Sequence, residues 1–261
     1  MPMSKSKRIK IALSIAIIVA GTYLWFFGVQ TFFVIESRKM GREIPIVKSV
    51  PIQLRDLSVS SAQGEKLSFK GVEFEVPWDD VDENKSRIIG SWALISFRSG
   101  SSIILCATQP KDFMSDLFRN KIASPELFTQ LYGPDVLNSD YALKKAIFET
   151  TPSDISLLTP SGRSAGLNSV LIMKAIMPPT TDWAIYNIQS NVLKGFQLGD
   201  PERRPKKMSL ELFTNDVEFE VNIEQPVSGS THAITQSEIN RIIQSAHTIA
   251  NAQPILTVNP G

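Results

Sequence analysis

Residues 208–224 read Met-Ser-Leu-Glu-Leu-Phe-Thr-Asn-Asp-Val-Glu-Phe-Glu-Val-Asn-Ile-Glu. Thr214-Asn215-Asp216 is a cluster of turn formers between two runs of strand formers. After it, Val217, Phe219, Val221 and Ile223 alternate with Glu218, Glu220, Asn222 and Glu224. A period of two places the apolar side chains on one face of a strand and the polar ones on the other. The segment predicts an antiparallel hairpin with an acidic outer face.

Upstream, residues 72–76 repeat the pentapeptide Val-Glu-Phe-Glu-Val found at 217–221. The flanking residues do not repeat, so two similar half-exposed strands explain the match better than a duplication does. Leu67 and Phe69 fall out of phase with this alternation across Lys70-Gly71, which predicts a tight turn or bulge. Residues 92–97 and 103–107 are apolar on both faces around Ser99-Gly100-Ser101 and predict a hairpin of interior strands. Residues 183–189 resume a strand-like pattern.

Helical signals separate these strands. Asp112 precedes Phe113, Met114, Leu117 and Phe118, and Ser124-Pro125-Glu126 opens a turn that Gly133-Pro134 closes. Residues 139–149 carry Leu143, Ala146 and Ile147 inward, and 167–177 read as a helix stopped by Pro178-Pro179. Thr235-Gln236-Ser237-Glu238 is a capping box, and Ile239, Ile242, Ile243, Ala246, Ile249 and Ala250 follow at helical spacing. The order strands, helices, strands, helix predicts an α+β fold: a mainly antiparallel sheet with packed helices, including an amphipathic C-terminal one.

The N-terminus reads differently. Residues 11–35 contain no charge and include Ile11, Ile15, Ile18, Leu24, Trp25, Phe26, Phe27, Phe32 and Phe33. At ~1.5 Å per residue this run reaches about 37 Å, more than a ~30 Å hydrocarbon layer. It predicts a single transmembrane helix that contacts membrane lipid. A cleaved signal peptide is the competing reading, but the run exceeds an h-region and ends in Phe32-Phe33-Val34-Ile35-Glu36 without a small-x-small site. Lys5, Lys7, Arg8 and Lys10 before it balance Arg38, Lys39, Arg42 and Lys48 after it. A basic N-terminus ahead of a long apolar run acts as a start-transfer signal, so the N-terminus is expected inside and the domain extracytoplasmic. The expected organisation is a basic tail at 1–10, an anchor at 11–35, a juxtamembrane linker at 36–51, one α+β domain at 52–250 and a tail at 251–261.

Lys plus Arg number 27 against 26 Asp plus Glu, so no net field favours nucleic acid. Cys106 is the only cysteine, which excludes an internal disulfide and zinc sites with two thiolates. The residues 79–84 begin like a calcium loop, but Lys85 and Ser91 stand where glycine and glutamate are required. No phosphate loop or dinucleotide fingerprint appears, and no cofactor is predicted. Gly162-Arg163-Ser164-Ala165-Gly166 matches the nucleophile elbow, with Asp182, Asp200 or Asp216 and then His232 or His247 in hydrolase order. An elbow needs a buried strand before it, and Pro160 stands two residues ahead of Gly162. Arg203, Arg204, Lys206 and Lys207 form the densest basic cluster, a candidate contact for lipid phosphates or an acidic partner. The leading expectation is a membrane-anchored domain that binds or helps assemble a protein partner; the alternatives are a serine hydrolase using Ser164 and an envelope or lipid binder using the basic loop.

Overall fold

The computed structural model describes residues 5–54, 58–59, 64–120, 123–177, 184–190, 193–214, 217–226 and 233–249, with the side chains of 5–12 and of 25–26 left aside. The Asn215-Asp216 turn, Asp182, His232 and the tail at 251–261 lie outside the described residues.

The hairpin of residues 208–224 forms as its alternation requires. Strands β9 (Lys207–Phe213) and β10 (Glu218–Glu224) pair antiparallel with Val221 opposite Leu210. They stand in the middle of an eight-stranded sheet that also holds β1 (Ile52–Gln53), β4 (Arg87–Ile89), β5 (Trp92–Ser96), β6 (Ser102–Thr108), β7 (Ile185–Gln189) and β8 (Lys194–Leu198). The order is β1-β7-β8-β9-β10-β6-β5-β4, antiparallel except for the β1–β7 pair. A second sheet of three strands is built from β2 (Glu65–Phe69), β3 (Val72–Val76) and β11 (His247–Thr248). The β2–β3 turn has Lys70 at φ 45° and Gly71 at φ 86°, both left-handed, as a tight two-residue hairpin turn demands.

These elements make three layers. On one face of the large sheet, Met208, Leu210, Leu212, Phe219, Val221 and Ile223 meet the small sheet and helix α7 (Gln236–Ser245). The two Val-Glu-Phe-Glu-Val strands face one another there, with the Phe74 and Phe219 rings stacked at 6.5 Å. On the other face, Phe196, Leu198 and Phe213 meet helices α1 (Lys5–Glu43), α2 (Pro45–Lys48), α3 (Asp112–Arg119), α4 (Pro125–Tyr132), α5 (Asp140–Glu149) and α6 (Ser161–Ile176). The mixed α+β architecture with an antiparallel-rich sheet is thus the one predicted.

Three expectations change in detail. The strand β6 is buried on one face and half-exposed on the other, so it is not interior on both sides. The polar face of β10 is not an outer face: Glu218 is buried and Glu220, Asn222 and Glu224 are half-buried, because the helical layer lies over that side. Helix α7 stops at Ser245, whose hydroxyl turns back onto Arg241 and Ile242 carbonyls and accepts the Glu75 amide, and the chain continues as β11 alongside β3.

The largest correction concerns residues 11–35. No single helix among the described residues is long and apolar enough to cross a membrane; one bent pair, Leu13–Leu24 with Phe27–Glu43 at 63°, meets the requirement together. The break falls between Leu24 and Phe27, and beyond it a buried stripe runs from the end of the apolar run into the residues that follow. Gln30, Val34, Ser37 and Gly41 recur at spacings of four, three and four, all buried, and dock the second half of α1 against the domain. A Cβ on Gly41 would stand 2.9 Å from Pro152 Cγ, so only glycine permits this approach. Residues 36–51, expected as a linker, continue this docking: α1 runs to Glu43, and Ile46 and Val47 of α2 are fully buried.

Candidate functional site

Asp140 begins α5, where Ser139 caps the helix by accepting the Ala142 amide at 3.1 Å. The fully buried Asp140 carboxylate accepts the amides of Phe113 at 2.9 Å and Met114 at 3.0 Å, so it also satisfies the open first turn of α3. Glu218 of β10 hydrogen-bonds to it from the sheet. Burial first, and the Asp140 charge second, push the Glu218 carboxyl far above its ordinary range, to about 8. The Glu218 carboxyl therefore keeps its proton at neutral pH beside Asp140.

One turn along α5, Lys144 Nζ lies 3.0 Å from Glu211 Oε2 and 4.7 Å from the Phe113 ring centroid. Burial disfavours its ammonium, but Glu211, with Glu220 and Glu218 behind it, outweighs that penalty and raises its pKa. These groups line a cavity of about 190 Å³ together with Cys106, Asp112, Asp116 and Glu220. The Cys106 thiol is pushed up by burial and then by Glu220, which keeps it protonated and unreactive.

A second, open cleft of about 570 Å³ lies between α4, α5 and α6 and is lined by Tyr132, Tyr141, Lys145, Glu149, Asp154 and Arg163 among others. Tyr132 bonds Thr150 Oγ1 at 2.6 Å, and burial pushes its phenol to about 12. Lys145 pairs with Glu149, and the cleft carries both signs of charge. Beneath it, fully buried Lys174 donates to the carbonyls of Ser49 at 2.6 Å, Phe148 at 2.5 Å and Thr150 at 2.8 Å. All three ammonium protons are used, two of them at the C-terminal end of α5 where the helix dipole favours a cation. Burial still lowers its pKa, to about 8.

The residues singled out in the sequence are dispersed. Ser164 lies in the first turn of α6, preceded by a loop rather than a strand, and is fully buried. Its Oγ accepts from Gln30 Nε2 at 2.7 Å. The glycine–serine pattern around it has a packing cause: a Cβ on Gly166 would stand 2.6 Å from Leu127 Cδ1, so glycine lets α4 approach α6. Asp200 caps the 3-10 turn Pro201–Arg203 by accepting the Glu202 amide, and His247 lies on β11 within 3.8 Å of Glu73. Asp200 and His247 thus serve other partners, and Ser164 Oγ is bonded to Gln30. In the basic loop, Arg203 pairs with Asp200 at 3.4 Å and Lys207 with Glu224 at 2.5 Å, while Arg204 and Lys206 are exposed. Asp82 and Asp80 accept backbone amides of Asn84 and Ser99, and among the described residues no group of acidic, histidine or cysteine side chains is arranged to hold a metal.

No family model, curated protein or solved structure matches the chain. The Asp140, Lys144, Glu211 and Glu218 cluster escapes a reading by periodicity, because it joins α5 to two strands far away in sequence. Its one local trace is Asp140 and Lys144 at i and i+4, on a helix whose inward residues include Leu143 and Ile147.

Proposed function

We propose that this chain is a membrane-tethered binding domain: the free arm of α1 holds it at a lipid bilayer, and the folded part engages a protein partner there. The arm carries the tether reading. Leu13, Ile15, Ile17, Ile18, Val19 and Leu24 are all exposed, and residues 11–35 contain no charge. An apolar surface of that extent is rare on a water-exposed monomer. The helix bends by 63° between Leu24 and Phe27, so residues 11–24 rise about 21 Å at ~1.5 Å each and the tilted residues 25–35 add roughly 7 Å more, together close to the thickness of a hydrocarbon layer. The proposed anchor is therefore bent, and its lower half doubles as part of the domain. The basic N-terminus ahead of the arm, Lys5 to Lys10, leaves the domain extracytoplasmic by the start-transfer argument.

The partner reading is supported by the open cleft. Two tyrosines and an arginine among charges of both signs resemble the composition that protein interfaces favour. Alkaline carbonate extraction should leave the full chain with the membranes, and its release into the supernatant would remove the tether. A photoreactive residue at Lys145 should give one dominant protein adduct in cells. The same adduct pattern from a photoreactive residue at Lys85, on an exposed turn outside the cleft, would remove the partner reading.

A further inference from the structure

We propose that the turn carrying Leu157 and Leu158 is a second membrane-contact element, inserted into the acyl region of the bilayer beside α1. The inference rests on the tether reading and adds a site to it. Leu158 is 90% exposed and Leu157 43% exposed, so neither contributes to a core.

The turn that presents them is built, not frayed. The Ser156 amide donates to Thr159 Oγ1 at 3.0 Å, the Leu158 amide to Ser156 Oγ at 3.3 Å, and the Thr159 amide to the Ser156 carbonyl at 3.1 Å. The Thr159 hydroxyl reaches back to the Asp154 carbonyl at 3.4 Å. A closed turn with leucine at its tip keeps two apolar side chains in water, which has a cost unless something covers them.

The depth of the turn follows from Gln30. Its side-chain amide donates both to the Ser156 carbonyl and to Ser164 Oγ, pinning the base of the turn to α1. Gln30 lies inside the uncharged run, five residues before Ile35, which is itself 58% exposed. At ~1.5 Å per residue that is about 8 Å along the helix. On the same stretch Phe27, Val29 and Phe32 point outward, and the first charged residue is Glu36. A bilayer that covers the exposed apolar face of α1 as far as Ile35 therefore also covers the level at which the Leu157-Leu158 turn is fastened. The basic loop belongs to another part of the fold: it joins β8 to β9 of the large sheet, whereas the leucine turn leads into α6, whose N-terminal end meets Gln30.

The test uses the full chain with Cys106→Ser and one added cysteine, at Leu158, Ile18 or Lys206, each carrying an environment-sensitive fluorophore in vesicles of phosphatidylcholine and phosphatidylglycerol. All three positions are exposed, so labelling removes no core contact, and thermal unfolding by circular dichroism checks each variant. The expected result is blue-shifted emission at 158 and at 18, with most of the fluorescence lost when acyl-brominated lipid is included, and neither change at 206. Quenching at 18 without quenching at 158 overturns the inserted turn and leaves the tether standing. Quenching at neither position overturns both. A blue shift at 158 that brominated lipid does not quench puts the turn against protein, a second copy included, and overturns the proposal. Quenching at 206 in place of 158 assigns the lipid contact to the basic loop and does the same.

Discussion

Lys174 shows how much one buried charge can organise. Its three carbonyl bonds join α6 to the end of α5 and to the segment after α2, and removing the donor leaves three buried acceptors unsatisfied. Lys174→Met should lower stability by about 3 kcal/mol or more, read from urea unfolding. Glu218 carries the opposite lesson, an acid held neutral. Its folded-state pKa, about 8, lies above the ordinary carboxyl value of 4.5, so the folded chain binds the extra proton between those values. The stability this gives is complete below the lower value and is lost as pH rises through the upper one. Unfolding free energy should therefore fall from mildly acidic to mildly alkaline pH, and Glu218→Gln should flatten that dependence. A profile unchanged by the substitution would show that the proton is held elsewhere. Ser164→Ala should cost only about 1 kcal/mol, the worth of its bond from Gln30.

Among the elements, α1 and α6 define each other. Helix α6 carries a fully buried Ser164 toward α1 and a close glycine contact toward α4. Gly166→Val forces side-chain atoms into the space of Leu127 and Leu131 and should destabilise by about 2 kcal/mol, measurable as a lowered midpoint of thermal unfolding. The two ends of α1 should separate cleanly on truncation. A chain beginning at Gln30 keeps the docked stripe and should fold with near-native stability. One beginning at Pro45 loses the buried Gln30, Val34, Ser37 and Gly41, which pack against α6 and Pro152, and should lose about 3 kcal/mol or more. Equal unfolding midpoints for the two truncations would show that the stripe contributes nothing.

For the molecule as a whole, the alternation of 72–76 and 217–224, the Lys70-Gly71 turn and the Thr235–Glu238 capping box were legible because each is set by neighbours along the chain. The predicted helices at 112–118, 125–132, 139–149 and 167–177 appear for the same reason. Sequence by itself determined the class of fold, the strand faces and the apolar character of residues 11–35. Only tertiary structure decided which polar groups are buried: Glu218 became a protonated neighbour of Asp140 because α5 covers that end of the sheet. The same holds for the apolar run at the N-terminus. Hydropathy sees uniform oil, whereas packing divides it at Gln30 into a free arm and a docked half, since a glutamine is tolerated there by hydrogen-bonding to Ser156 and Ser164 across the helix interface. Burial is a property of the neighbours that folding supplies, and those neighbours lie more than a hundred residues away in the chain.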